Sequence, residues 1–152
     1  MTGGNIMQST SDKRSVLIVD DDIDFVIQLK YQFENEGYEI ISAEGQYEAE
    51  EILTDFLPDC AVVDLMLENV DGGITLASHI KRKDPTIPVV IVTSVSRDIG
   101  MKFEARTEEE LSWMKADLIL NKPVRFEQLL REINRLLKES SHDGNTNTDS
   151  VG

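Results

Sequence analysis

The chain is poor in the residues that several common functions need. Only one of its 152 residues, Cys60, is a cysteine. An intrachain disulfide and a cysteine-based metal site are therefore excluded, and a reducing cytoplasmic setting fits. Basic residues are scarce: 15 Lys and Arg stand against 29 Asp and Glu, for a formal net charge of -14. Nucleic-acid binding needs clustered cations to neutralise phosphates, and an anionic membrane surface needs the same. Neither partner is expected. No run approaches the roughly 20 apolar residues of a membrane span, and Met1 to Arg14 lack the apolar stretch of a secretory signal. A hydrophobic share of 40% is nevertheless enough to bury a core, and the length corresponds to one domain.

Both ends are expected to be disordered. Residues 1–13 are rich in Gly, Ser, Thr and Asn, and residues 140–152 hold a single aliphatic side chain, Val151. Such stretches cannot bury enough apolar surface to offset their ordering entropy, which leaves a folded domain at 14–139. Within it, short apolar runs at Val16–Val19, Tyr38–Ile41, Ala61–Val63, Val89–Val92 and Leu118–Leu120 predict strands buried on both faces. Between them lie stripes at helical spacing: Phe25, Val26, Leu29 and Phe33; Ala49, Ile52, Leu53 and Phe56; Leu76, Ala77 and Ile80. The last is Phe126, Leu129, Leu130, Ile133, Leu136 and Leu137. Thr107 and Glu110 form a capping box that predicts a further helix to about Ala116. Five βα units in succession predict an α/β domain with helices on both faces of a parallel sheet.

Ligands of such sheets bind at the carboxyl ends of the strands, so the residues that follow each apolar run carry the information. These are Asp20, Asp21 and Asp22 after the first, Asp64 after the third, Thr93-Ser94 after the fourth, and Asn121-Lys122-Pro123 after the fifth. Each has an ordinary alternative. Asp22, and one of Asp20 and Asp21, could cap the following helix; a threonine can simply be a strand former and a lysine a solvated charge. Together, however, clustered carboxylates repel one another unless a cation or proton neutralises them. An all-oxygen donor set without His or Cys suits Mg²⁺. The segment Asp20 to Asp24 lacks the Gly and the bidentate Glu of a calcium loop. A metal beside a lysine and a hydroxyl can hold phosphoryl oxygens, and a carboxylate there can act as nucleophile. Asp64, on the central strand, is the best placed.

At these residues the chain resembles the response-regulator receiver family of two-component signalling. VLIVDDD is similar to that family's first strand and acidic pair, and AVVDLML to its acceptor strand, followed by Asp71-Gly72. VIVTS is similar to its fourth strand with the switch hydroxyl, and NKPV to its Lys-Pro turn. The resemblance spans about 14–139 and implies a flavodoxin-like (βα)5 sandwich with strand order 2-1-3-4-5. It also implies roles. Asp21 would bind Mg²⁺ directly and Asp20 mainly through water, with the Met66 backbone carbonyl completing the ligands and Mn²⁺ as an alternative ion. Asp64 would ligate the metal and accept the phosphoryl group, while Thr93 and Lys122 contact its oxygens. The Lys122–Pro123 bond would be cis. A histidine kinase or phosphotransfer protein would be the donor, and the face of the fourth helix, fifth strand and fifth helix would carry the signal. Its recipient would be a downstream protein or an effector domain that has been removed. A phosphorylation-dependent homodimer is left open.

Some positions depart from the family. Glu68 replaces the usual proline four residues after the acceptor, and Ile119 replaces the aromatic reporter three residues before the lysine. The segment from Thr93 to Lys122 is longer than usual. Met66 and Val95 flank the site and can neither orient nor deprotonate water, so slow autodephosphorylation is expected. Rival functions fit less well. A D-x-D phosphatase needs an aspartate where Met66 stands, a flavin or nucleotide carrier needs a phosphate loop where DDDIDF stands, and a phosphate-independent pseudo-receiver would not need all the site residues. His79 is expected to be a helix-surface group rather than a phosphodonor, and Cys60 a small buried hydrophobe. His142 falls in the C-terminal tail, and Trp113 covers core or an interface.

Overall fold

The computed structural model describes residues 13–67, 72–94 and 115–144. Five strands, β1 (Ser15–Val19), β2 (Glu39–Ala43), β3 (Cys60–Asp64), β4 (Val89–Thr93) and β5 (Leu118–Asn121), form one sheet in the order β2-β1-β3-β4-β5. All four pairings are parallel. The described helices are α1 (Ile23–Asn35), α2 (Gln46–Asp55), α3 (Gly72–Lys83) and α4 (Phe126–Gly144). This is the flavodoxin-like arrangement expected from the sequence. Parallel strands need crossovers, and the helices that supply them cover both faces.

The pleat sends alternate side chains of each strand to opposite faces. Leu17, Val19, Ala61, Val63, Val89 and Ile91 pack with Leu53 of α2 and Leu76 and Ile80 of α3. Val16, Ile18, Cys60, Val62, Val90 and Val92 pack with Leu29 and Phe33 of α1 and Leu129 and Ile133 of α4. Burial on both sides is why β1 and β4 read as unbroken apolar runs rather than alternating ones. The second strand begins and ends later than its apolar run suggests: Tyr38 lies just before it, buried, with its ring edge-on to Phe33 at a 5.4 Å centroid separation and its hydroxyl donating to Asn134. The last helix runs past Glu139 to Gly144. Among the described residues no helix is long and apolar enough to cross a membrane. Glu68, Asp71, Val95, the Thr107–Glu110 capping box and Trp113 lie outside the described residues.

Cys60 is fully buried, and burial pushes its thiol up to about 12, which keeps it in the inert protonated form. His79 is less of a surface group than its position suggests. It is half-buried on α3, with Nδ1 against the Glu50 carboxylate of α2.

Candidate functional site

Strand register brings the acidic residues together. Val19 is level with Val63, so Asp20 and Asp64 leave adjacent strands at the same height. Asp64 is level with Val92, which sets Thr93 one residue beyond it, and Thr93 is level with Asn121, which delivers Lys122 to the same edge. The Lys122 N–H donates to the Thr93 carbonyl at 2.8 Å, and the Lys122–Pro123 bond is cis. Thr93 itself is fully buried.

The first acidic run divides its labour. Asp22 is the N-cap of α1, its Oδ1 accepting from the Phe25 N–H at 3.2 Å, which satisfies a donor that the helix cannot. Asp20 turns inward and is 1% exposed; its Oδ1 accepts from the Asp22 N–H at 2.9 Å. Its Oδ2 lies 2.9 Å from the Lys122 ammonium, which pairs with it across the edge of the sheet. Asp21 is exposed. One carboxylate oxygen from each of Asp20, Asp21 and Asp64 lies within 4.8 Å of the other two.

These residues fit a hard divalent cation. The donors are all oxygen, three negative groups share a small volume, and one of the three, Asp20, is held buried there. Asp64 records the crowding. Burial, then the negative charge of Asp20, push its carboxyl up to about 6, against the opposing pull of Lys122 and of the Met66 N–H, which donates to its Oδ1 at 3.2 Å. For Lys122, burial opposes the charge, but the Asp20 and Asp64 carboxylates outweigh it and raise its pKa.

The raised Asp64 value has a defined pH consequence. In the unfolded chain this carboxyl titrates near 3.8 and in the metal-free fold near 6. Between those values the folded state holds the extra proton, so this group's contribution to stability falls as pH rises through the window. A metal ligand must be deprotonated, so Mg²⁺ is expected to raise Tm most above about pH 6 and progressively less towards pH 4.5. Thermal melts with and without Mg²⁺ at several pH values measure this. A Tm increment independent of pH would contradict it.

Two features of the site have little or no sequence signature. Gly73, in the first turn of α3, sits so close to the end of β3 that an added Cβ would lie 2.3 Å from the Asp64 carbonyl oxygen and 2.7 Å from Leu65 Cα. Its N–H donates to the Leu65 carbonyl at 2.8 Å. Phe25, which reads simply as part of a core stripe, has its ring under Lys122, with Nζ 4.6 Å from the ring centroid.

The structure thus presents a doubly wound parallel sheet with an acidic cluster, a buried threonine and a lysine at its carboxyl edge, and comparison with known proteins says which class of domain this is. The chain belongs to the response regulator receiver domain family, whose model matches residues 16–134. It is therefore a signalling domain of the two-component type. The virulence transcriptional regulatory protein PhoP of Salmonella typhimurium strain LT2 is 29% identical over 126 residues, covering 83% of this chain and 53% of that protein. The chain thus spans about half the length of the curated relatives it matches. A CheY-like receiver domain protein from Methanospirillum hungatei superposes with a TM-score of 0.72 at 24% identity, covering 87% of this chain and 99% of that one. The response regulator TrrA from Thermotoga maritima, in complex with Mg(2+)-BeF, superposes with a TM-score of 0.65 at 25% identity, covering 81% and 98%. Receiver domains bind Mg²⁺ through acidic residues, and an aspartate cluster of that kind is present here.

Proposed function

We propose that the chain accepts a phosphoryl group on Asp64, in a Mg²⁺-dependent reaction, from a histidine kinase or histidine phosphotransfer protein in the cytoplasm. The observation that carries this is the meeting of Asp20, Asp21 and Asp64 within 4.8 Å, with the Lys122 ammonium 2.9 Å from Asp20. An Asp64 carboxylate oxygen would attack phosphorus. A P–O bond forms as the bond to the donor imidazole nitrogen breaks, and the electron pair leaves with the imidazole. Asp20, Asp21, Asp64 and the Met66 backbone carbonyl would hold Mg²⁺, or Mn²⁺ in its place, and the ion would offset the charge gathering on the phosphoryl oxygens. The Lys122 ammonium and the Thr93 hydroxyl are assigned to those oxygens, because phosphoryl transfer is governed by positioning and charge neutralisation.

The new group adds about -1.5 to -2 charges beside a lysine and a threonine that end neighbouring strands. Drawing both inward would bias β5 and α4 between two arrangements, a population shift read by a downstream protein, by an attached effector domain or by a second copy of the chain. Met66 beside the acceptor offers water no base, so the phosphorylated form is expected to be long-lived. That TrrA is seen with Mg(2+)-BeF supports the same chemistry for a related fold.

Incubation with Mg²⁺ and acetyl phosphate, read by intact mass, tests the reading. Wild type is expected to gain one phosphoryl group and keep it for many minutes, and Asp64→Asn to gain none. A gain unaffected by Asp64→Asn, or by removal of Mg²⁺, would overturn it.

A further inference from the structure

We propose that Phe25 is a positioning residue for the site: its ring holds the Lys122 ammonium at the mouth of the acidic cluster, aimed at the incoming phosphoryl group. This rests on the phosphoryl-acceptor reading above and adds a residue that the acidic pattern does not contain.

The ammonium is held from two sides, by Asp20 Oδ2 at 2.9 Å and by the face of Phe25 at 4.6 Å from its centroid. Both partners are anchored through their backbones. The Asp22 cap fixes the first turn of α1 at the Phe25 N–H, and the Thr93 carbonyl fixes the Lys122 N–H. Phe25 is partly buried against the core cluster shared by α1 and α4, so its ring cannot swing freely into solvent.

The two holds answer differently to charge. Asp20 attracts the ammonium through a full negative charge, and a cation shared among the three carboxylates weakens that attraction. The ring attracts it through a quadrupole that does not depend on the occupancy of the carboxylates. A lysine held only by Asp20 would be released when that carboxylate is neutralised. One that also rests on Phe25 stays at the site, with N–H donors free for phosphoryl oxygens. An aliphatic residue at this position could fill the same volume but would supply no such attraction.

The test uses the full chain with acetyl phosphate as donor. Phe25→Leu is expected to raise the half-saturating donor concentration by about fivefold, the size of one partly exposed cation–π contact, with Mg²⁺ affinity nearly unchanged. Phe25→Trp is expected to restore the wild-type value. In a Lys122→Gln background, Phe25→Leu should add little. The Lys122 ε-methylene proton resonances, moved upfield by the ring, should return towards their ordinary position in Phe25→Leu and remain shifted in Phe25→Trp. Equal donor dependence of wild type and Phe25→Leu would overturn the proposal, as would a full Phe25→Leu effect in the Lys122→Gln background. If Phe25→Leu fails to fold, Phe25→Met takes its place. If wild type takes no phosphoryl group at all, the acceptor reading fails, while the ring-current shift still decides whether Phe25 holds Lys122.

Discussion

Lys122→Ala is expected to destabilise the metal-free protein by about 3 kcal/mol, the order of loss when one partner of a buried ion pair is removed. The partner left behind is Asp20, 1% exposed, whose Oδ2 faces the ammonium at 2.9 Å. Without Lys122 the nearest charges named at the site are the carboxylates of Asp21 and Asp64, so the loss is compounded by repulsion. Two treatments should recover stability. Mg²⁺ supplies the missing positive charge, and mild acid lets Asp64 take up a proton. Urea unfolding with and without Mg²⁺ measures the first, and a pH series the second. Lys30→Ala is a natural control, since its pair with Glu34 at 3.1 Å is half-exposed on both sides and such pairs contribute about 0.5 kcal/mol or less. Equal effects of the two substitutions would mean that the Asp20–Lys122 pair does not act as a buried one.

Gly73→Ala should cost about as much, for a steric reason. In an unconstrained helix, replacing glycine by alanine stabilises by about 1 kcal/mol. Here the new Cβ would lie 2.3 Å from the Asp64 carbonyl oxygen, 2.7 Å from Leu65 Cα and 2.8 Å from the Leu65 carbonyl oxygen. All three are backbone atoms of the β3–α3 junction, which cannot yield as a flexible side chain would. Overpacking of this kind costs about 1–3 kcal/mol, and the close backbone contact places Gly73 at the upper end, so the steric loss exceeds the propensity gain. The structure would relieve the clash by moving the end of β3, and with it Asp64. A displacement of a reacting group by about 1 Å can cost 100-fold in rate, so phosphoryl acceptance should slow more than stability alone explains. Chemical denaturation and acetyl phosphate kinetics on the same protein separate the two effects. Gly37→Ala is the comparison: that glycine has φ +93 and, among the described residues, no neighbour within 4 Å of an added Cβ, so it should lose stability from backbone strain while leaving acceptance unchanged.

Much of the fold was legible because parallel strands covered on both faces leave unbroken apolar runs, and the helices between them leave stripes of period 3.6. Asp20, Asp64, Thr93 and Lys122 were legible as site candidates because each ends such a run, and the carboxyl ends of a parallel sheet lie on one edge. Element boundaries were less so. Tyr38 reads as a strand residue because it is aromatic and apolar, yet it lies ahead of the strand with its ring edge-on to Phe33. His79 reads as a surface histidine because α3 alone does not reveal that Glu50 of α2 lies against it.

By itself, then, the order of residues determined the succession of strands and helices and the edge at which the acidic residues emerge, since both follow from local periodicity. Tertiary structure decided the rest. Strand register set Asp20 level with Asp64. The approach of α3 to β3 left room only for a hydrogen at Gly73, and the return of the chain after β5 laid Lys122 between Asp20 and the ring of Phe25. These are contacts between residues far apart in the chain, and no local pattern encodes which distant partner will fill a given space.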